Sequence, residues 1–460
     1  MPARPSVSIA RRSLLSALGL GAAGLGLAAC GAPGGGDDAD SLTRKGYGQA
    51  DVKIPAEYKD RTPVLFWAPF TGVNYSVLQE LFTAFNESQN EIVAIAESQG
   101  GYADLNKKFT AALQAKSVPD IVCFPERQWM QFYFSQALAP LDDRFDDSWN
   151  LDVYLDNYVE EGRAAGKTYV VPFARSTPLF YFNRTRYAEL GLPEEGPKTW
   201  DQLAEFGKEL QGIEVSGKKL AALAFSATDG WYAQSHIWAW GGSNSQDYDI
   251  TIGQQPGIDW LTWQRDFIHS QKLGYMAKDS MTDFTTGLAA GVQGSTASLR
   301  GLTEVAKFDV GAAFMLGKQE EETACPTGGS GLSMVRSDSE DRQAAVAELF
   351  RFLAEPENSA HWHKGTGYVP IVKAARETQT VTDLVAENPN YGVALDQLKN
   401  AKTADRINWF QASITEVEAA QARVYGDNAE PKEVLAELTG KLEKIMDDNR
   451  EDLEKVLAEG

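Results

Sequence analysis

Cysteine and histidine are scarce in this chain: three of one and four of the other in 460 residues. So few thiols exclude a disulfide-stapled scaffold, and no CxxC pair or cluster supplies a metal site. His236, His269, His361 and His363 stand in no metal-ligand pattern. The last two, two residues apart, fall on different faces of a helix. Gly-x-Ser-x-Gly and His-Glu-x-x-His are absent, as is any His/Asp metal cluster, so the sequence offers no support for a serine hydrolase, a metalloprotease or a metal-dependent phosphodiesterase. Carboxylates are abundant, but no pattern marks a pair facing each other as glycoside hydrolysis requires. Positive charge is also short, with 43 Lys and Arg against 64 Asp and Glu. Such a surface repels nucleic acid and anionic lipid headgroups. Beyond residue 30 no run approaches the ~18 apolar residues of a membrane-spanning helix.

What is present begins at the N-terminus. Arg11-Arg12 precedes an apolar run from Leu14 to Leu27, which ends at Leu27-Ala28-Ala29-Cys30. A basic flank, a short apolar segment and small residues before a cut site describe an export signal, and the paired arginines suggest the twin-arginine route. The expectation is a leader over 1–29. Its removal takes away Arg4, Arg11 and Arg12, leaving 40 basic against 64 acidic side chains, a net charge of −24. Gly31-Ala32-Pro33-Gly34-Gly35-Gly36-Asp37-Asp38 cannot pack and reads as a tether, with residues 30–54 preceding the folded body. Cys123, within Ile121-Val122-Cys123-Phe124, reads as a buried free thiol, although an exported chain permits a Cys123–Cys325 disulfide.

The remaining ~430 residues suit two lobes rather than one core. Val64-Leu65-Phe66-Trp67 reads as a strand, followed by a helix with Val77, Leu81 and Phe85 on one face. Ile92-Val93-Ala94-Ile95 reads as the next strand, Leu105–Leu113 as a helix, and Pro119–Phe124 as a buried strand. Alternation of this kind predicts βαβ units and a mostly parallel sheet. Further helices are expected over Asp201–Leu210, behind a cap at Thr199, and over Ile258–Ser270, past the breaker Pro256-Gly257. Val434, Leu435, Leu438, Leu442 and Ile445 mark an amphipathic helix near the C-terminus.

Several stretches resemble the extracellular solute-binding proteins of ABC importers. Arg175-Ser176-Thr177-Pro178-Leu179-Phe180-Tyr181-Phe182-Asn183, then Pro197-Lys198-Thr199-Trp200-Asp201-Gln202-Leu203, carries the broad likeness. A narrower likeness, to binders of glycerol-3-phosphate and glycerophosphodiesters, rests on Pro356–Ile371, Gly101-Tyr102, Gly230-Trp231, Gly328-Gly329-Ser330-Gly331 and Arg406-Ile407-Asn408. The leader is likewise similar to those of bacterial lipoproteins, in which the residue matching Cys30 is diacylated. Together these resemblances imply a two-lobed α/β fold of the type II periplasmic-binding kind, each lobe a mostly parallel sheet flanked by helices. Lobe 1 is expected over 55–172 plus 308–365, and lobe 2 over 173–307 plus 366–460. They also imply a monomer without a cofactor, anchored by Cys30 at the outer face of the cytoplasmic membrane. It would hand a small-molecule ligand to membrane permease subunits backed by a cytoplasmic ATPase.

Carried over residue by residue, the resemblance implies that Arg406 holds a phosphate through its planar fork. Tyr102 and Tyr368 match ligand contacts, Ser176 and Thr177 hydroxyl donors at the hinge, and Glu126 a carboxylate facing glycerol hydroxyls or a choline head. Trp231 matches an aromatic wall, Ser295 and Thr296 further donors, and Gly328 and Gly329 an amide nest for phosphate. This chain has Thr228 and Thr71 where the pattern carries a second tryptophan and a carboxylate, and it adds Asp229. An added anion favours a zwitterionic diester such as glycerophosphocholine over dianionic glycerol-3-phosphate. The alternative ligand is an oligosaccharide stacked on Trp231 and Trp240; a secreted hydrolase is the remote one.

Overall fold

The computed structural model describes residues 46–226, 230–320 and 323–458, with the side chains of Glu126, Arg127 and 456–458 left aside. The expected leader, Cys30 and Asp229 lie outside them. The folded body starts before Pro55, because Gly48–Gln49 pairs with Ser117–Val118 as an edge ladder. The tether expected to run to residue 54 therefore ends by Tyr47, which already bridges to Ser337.

The first lobe is built from β1 (Thr62–Ala68), α1 (Gly72–Ser88), β2 (Ile92–Ser98), α2 (Tyr102–Ala115), β3 (Ile121–Pro125) and β4 (Val171–Ser176). The chain then crosses. The second lobe follows with β5 (Pro178–Asn183), α3 (Trp200–Leu210), β6 (Leu223–Ser226), α4 (Gly230–Ala239), α5 (Gln255–Arg265), β7 (Gly274–Ala277), β8 (Gly291–Ser295), α6 (Leu299–Val305) and β9 (Val310–Ala313). β10 (Gly328–Met334) and α7 (Pro356–Thr366) return to the first lobe, and α8 (Gln411–Asp427) and α9 (Pro431–Ala458) finish on the second.

Val77, Leu81 and Phe85 of α1 are buried against the first sheet, as their spacing predicts. The Thr199 hydroxyl caps α3 by accepting from the Gln202 amide at 3.1 Å. Pro256-Gly257 does not break the chain before a helix but lies inside the first turn of α5. A first-turn residue has no intrahelical acceptor for its N–H, so proline costs nothing there. Val434, Leu435, Leu438 and Leu442 of α9 are buried in the second core, each contributing about 1.5–3 kcal/mol of apolar burial.

The first sheet has the order β2-β1-β3-β10-β4 and the second β7-β6-β8-β5-β9. In each, one strand runs against the other four: β10 in the first and β5 in the second. Both reversed strands begin directly after an inter-lobe crossing. A strand entering from the hinge runs away from the cleft, so the other four point their carboxyl ends towards it. That edge is where open α/β sheets take ligands.

The lobe boundaries differ from those expected. Val310–Ala313 pairs with β5, and Ala313 and Leu316 join the second core, so the crossing falls after Leu316 rather than at 308. Likewise Tyr368, Val369, Ile371, Val372 and Ala375 belong to the first core. The Val369 amide donates to the Arg175 carbonyl at 2.8 Å, which carries the chain along the first sheet past residue 365. Further on, Val381, Leu395 and Leu398 pack in the first core, while Tyr391 and Ala394 pack in a separate second-lobe cluster with Tyr181, Val292 and Leu302.

Candidate functional site

A cavity of about 480 Å³ opens where the strand ends of the two lobes meet. Its first-lobe wall carries Tyr102 at the start of α2, Pro125 at the end of β3, Gln128 after it, Ser176 at the end of β4, Gly329 on β10 and Tyr368 after α7. Its second-lobe wall carries Gly230 and Trp231 at the start of α4, Ser295 at the end of β8, and Asn408. Among the described side chains that line it, none is ionised. The first turns of α1, α2 and α4 reach it through Asn74, Tyr102 and Trp231. The leading amide of α4 is taken, since the Gly230 N–H donates to Glu418 Oε1 at 3.2 Å, but the starts of α1 and α2 carry a partial positive charge that suits an anionic group without a lysine or arginine on the wall.

The aromatic groups are held from behind. The Trp231 indole N–H donates to the Thr327 carbonyl at 3.0 Å, and its ring covers Gly328 so closely that a Cβ there would sit 2.3 Å from Cζ2. Gly328 thus supports the tryptophan instead of lining the cavity as expected. Tyr368 stacks on Trp362 with centroids 5.9 Å apart, and Trp362 stacks on Phe173 at 4.7 Å. The Tyr102 hydroxyl donates to Ser330 Oγ at 3.2 Å, where the Cys123 thiol also donates at 3.1 Å. Burial pushes Tyr368 up to about 12 and Cys123 up to about 12. Tyr102 rises well above the ordinary phenol range, through burial first and then its neighbours Tyr368 and Cys123. Both phenols are therefore neutral groups at physiological pH. Cys123 and Cys325 are both free and buried.

Ser176 and Ser295 lie on the cavity wall, but Thr177 and Thr296 are fully buried beneath it. Successive residues of an extended chain face opposite ways, so only one of each pair can line the cleft. The expectation that all four are ligand donors is corrected on that point. Glu126 lies in the turn after β3. Arg406 is displaced from its expected place. Its guanidinium pairs with Asp247 at 2.9 Å and lies 5.6 Å from the Tyr248 ring. It lines a neighbouring cavity of about 570 Å³ that also includes Arg163 and shares Ala404 with the first. The turn Arg406–Trp409 is 3₁₀-helical, and at three residues per turn Arg406 and Asn408 face different ways.

Residues missed in the sequence are Asn74, Gln128 and Asn408. Asn408 closes the motif Arg406-Ile407-Asn408. Its Nδ2 donates to Gln234 Oε1 at 2.6 Å, and Gln234 Nε2 donates to Asp405 at 2.9 Å. Burial raises the Asp405 carboxyl above its usual range, against the lowering effect of its amide donors. Also missed was a buried ion pair behind the floor. Arg175 pairs with Glu161, which accepts from the Thr327 hydroxyl, and the guanidinium lies 4.6 Å over the Tyr158 ring.

Two lobes of mixed α/β structure, crossed by the chain several times and enclosing a polar and aromatic cavity at their strand ends, define a solute-binding protein. The family described as bacterial extracellular solute-binding protein matches residues 80–391, and the chain belongs to it. Among its relatives, the sn-glycerol-3-phosphate-binding periplasmic protein UgpB of Escherichia coli K12 is 27% identical over 361 residues, covering 74% of this chain and 81% of its own length. The crystal structure of UgpB from Mycobacterium tuberculosis in complex with glycerophosphocholine superposes with a TM-score of 0.79 at 31% identity, covering 84% of this chain and 99% of that one. The cyclic alpha-maltosyl-1,6-maltose binding protein of Arthrobacter globiformis has a TM-score of 0.73 at 20% identity and shares the fold.

Proposed function

We propose that this protein is the substrate-binding component of an ABC importer, capturing a glycerophosphodiester such as glycerophosphocholine, or glycerol-3-phosphate, and delivering it to a membrane permease. In this reading it catalyses no reaction and is tethered by lipid on Cys30. The observation that carries it is the cavity itself: neutral walls of Trp231, Tyr102 and Tyr368, the N-termini of α1 and α2, and no ionised side chain among the described lining residues. A phosphodiester monoanion is satisfied by amides, hydroxyls and helix ends, while a choline head gains about 0.5–2 kcal/mol over an indole face. The likeness to the two UgpB proteins supports the same ligand class.

Arg406 enters this reading as an exchangeable clamp. Its partner Asp247 is mostly exposed, and such pairs contribute only about 0–1 kcal/mol. A phosphate that reaches past Ala404, which the two cavities share, is the better partner, since it accepts two parallel N–H bonds. Calorimetric titration of the mature chain with glycerophosphocholine, glycerol-3-phosphate and maltotriose tests both parts. The expected result is binding of a phosphate compound, weakened at least tenfold in Arg406→Ala. Binding of maltotriose alone, unchanged in that variant, would move the protein to the oligosaccharide branch and leave Arg406 a structural residue.

A further inference from the structure

The end of α7 is completed by the other lobe. A helix leaves its last carbonyls without intrahelical partners. One here is satisfied locally: the His363 carbonyl accepts from the Gly367 amide at 2.8 Å, while the Trp362 carbonyl just before it takes the Thr366 hydroxyl at 2.6 Å. The Gly365 carbonyl instead accepts from Arg300 Nη1 at 2.7 Å. Arg300 stands on α6, whose Leu299 and Leu302 are buried in the second lobe, whereas Gly365 lies on a first-lobe helix against Val77 of α1. The guanidinium is aimed by Glu304, one turn along α6, which accepts from Nε at 2.8 Å.

Beside this bond the two backbones meet. Gly367 is left-handed at φ +79°, and a Cβ on it would lie 2.9 Å from the Thr296 carbonyl oxygen and 3.3 Å from the Ala297 Cα. Only glycine meets both demands. A second cross-lobe bond runs from Gln128 Nε2 to Gln411 Oε1 at 2.5 Å, with Gln128 held on its own lobe by Asn106 at 2.8 Å. Neither Arg300 nor Gln411 lines the cavity. Both contacts adjoin the lining: Tyr368 and Ser298 flank the first, and Gln128, which makes the second, itself lines the cavity.

We propose that Arg300 and Gln411 are positioning residues that clasp the lobes together over the ligand without touching it. Observed affinity is the intrinsic affinity of the joined form multiplied by the population of that form. Any parting that separates Gly365 from Arg300, or Gln128 from Gln411, hands the same groups to water, so each bond contributes modestly. The clasp therefore sets how long a ligand stays, and not which ligand binds.

The test uses the mature chain carrying Arg300→Gln and Gln411→Ala, singly and together, with glycerophosphocholine and glycerol-3-phosphate as probes. Each single variant is expected to raise the dissociation rate about 3- to 10-fold, by the same factor for either ligand, with the association rate unchanged. Arg300→Lys, which keeps a cationic donor, recovers part of the loss. Without ligand, the double variant has a larger radius of gyration in solution scattering than the parent. Unchanged dissociation rates, or an altered preference between the two ligands, would overturn the clasp. Should neither probe bind, the ligand reading fails, but the scattering comparison still decides: an equal radius of gyration in parent and double variant sinks the proposal.

Discussion

Trp231 shows how much of a binding residue's work is done by its neighbours. Its ring reaches the cavity because the Thr327 carbonyl holds the indole N–H and because Gly328 offers no side chain underneath. Truncation to alanine removes an aromatic wall of the kind that contributes about 1.5–3 kcal/mol when a ligand covers it. Trp231→Ala is expected to weaken glycerophosphocholine binding about 10- to 100-fold by calorimetry. Gly328→Ala, which adds one methyl group and deletes nothing, should weaken it in the same direction by pushing the ring aside. Parental affinity in Gly328→Ala would show that the ring can shift without loss. The tryptophan was visible in the sequence beside Gly230. Its dependence on Gly328 was not, since the two are nearly a hundred positions apart and belong to different lobes.

At the scale of the element, α4 and α7 each bury a histidine. His236 lies between Gln293 and Gln264, with its Nδ1 3.3 Å from Gln264 Nε2. His363 donates from Nδ1 to the Tyr368 carbonyl at 2.6 Å, which leaves Nε2 buried and unpartnered among the described groups. Burial lowers His236 to about 3 and His363 to about 4, against an ordinary value near 6.5. Below pH 6.5 the unfolded chain takes up protons that the folded chain refuses, so stability present above that pH is lost as pH falls through the folded values. Each histidine contributes a slope of about 1.4 kcal/mol per pH unit in that window. Thermal unfolding between pH 7 and 4.5 should show a falling Tm, with a shallower decline in His363→Asn, whose amide retains the bond to Tyr368. An identical slope in both proteins would remove His363 as a cause. Sequence spacing separated the faces of His361 and His363. It carried no sign of which one would be buried, because that depends on Tyr391 packing edge-on against the ring of His363 at 5.5 Å.

For the whole molecule, the reading of an exported, tethered binder predicts that Cys30→Ser releases the chain from membranes into the soluble fraction, measured by fractionation and immunoblot. Retention in the membrane fraction would instead assign attachment to another part of the chain. What the sequence determined by itself is everything that depends on near neighbours. Apolar spacing specified α1 and α9, Thr199 marked the start of α3, and strands alternating with helices implied the α/β lobes. The motifs around Tyr102, Ser176, Trp231, Ser295, Gly329 and Tyr368 named residues that do line one cavity. Tertiary structure alone decided what depends on distant partners. It put Val310–Ala313 beside β5 instead of in the first lobe, turned Thr177 and Thr296 inward, and gave Arg406 to Asp247. It also closed α7 with an arginine from the opposite lobe. The physical reason is the same each time: periodicity records which way a side chain faces along its own element, while pairing, burial and charge partnership are fixed only when separate segments of the chain come together.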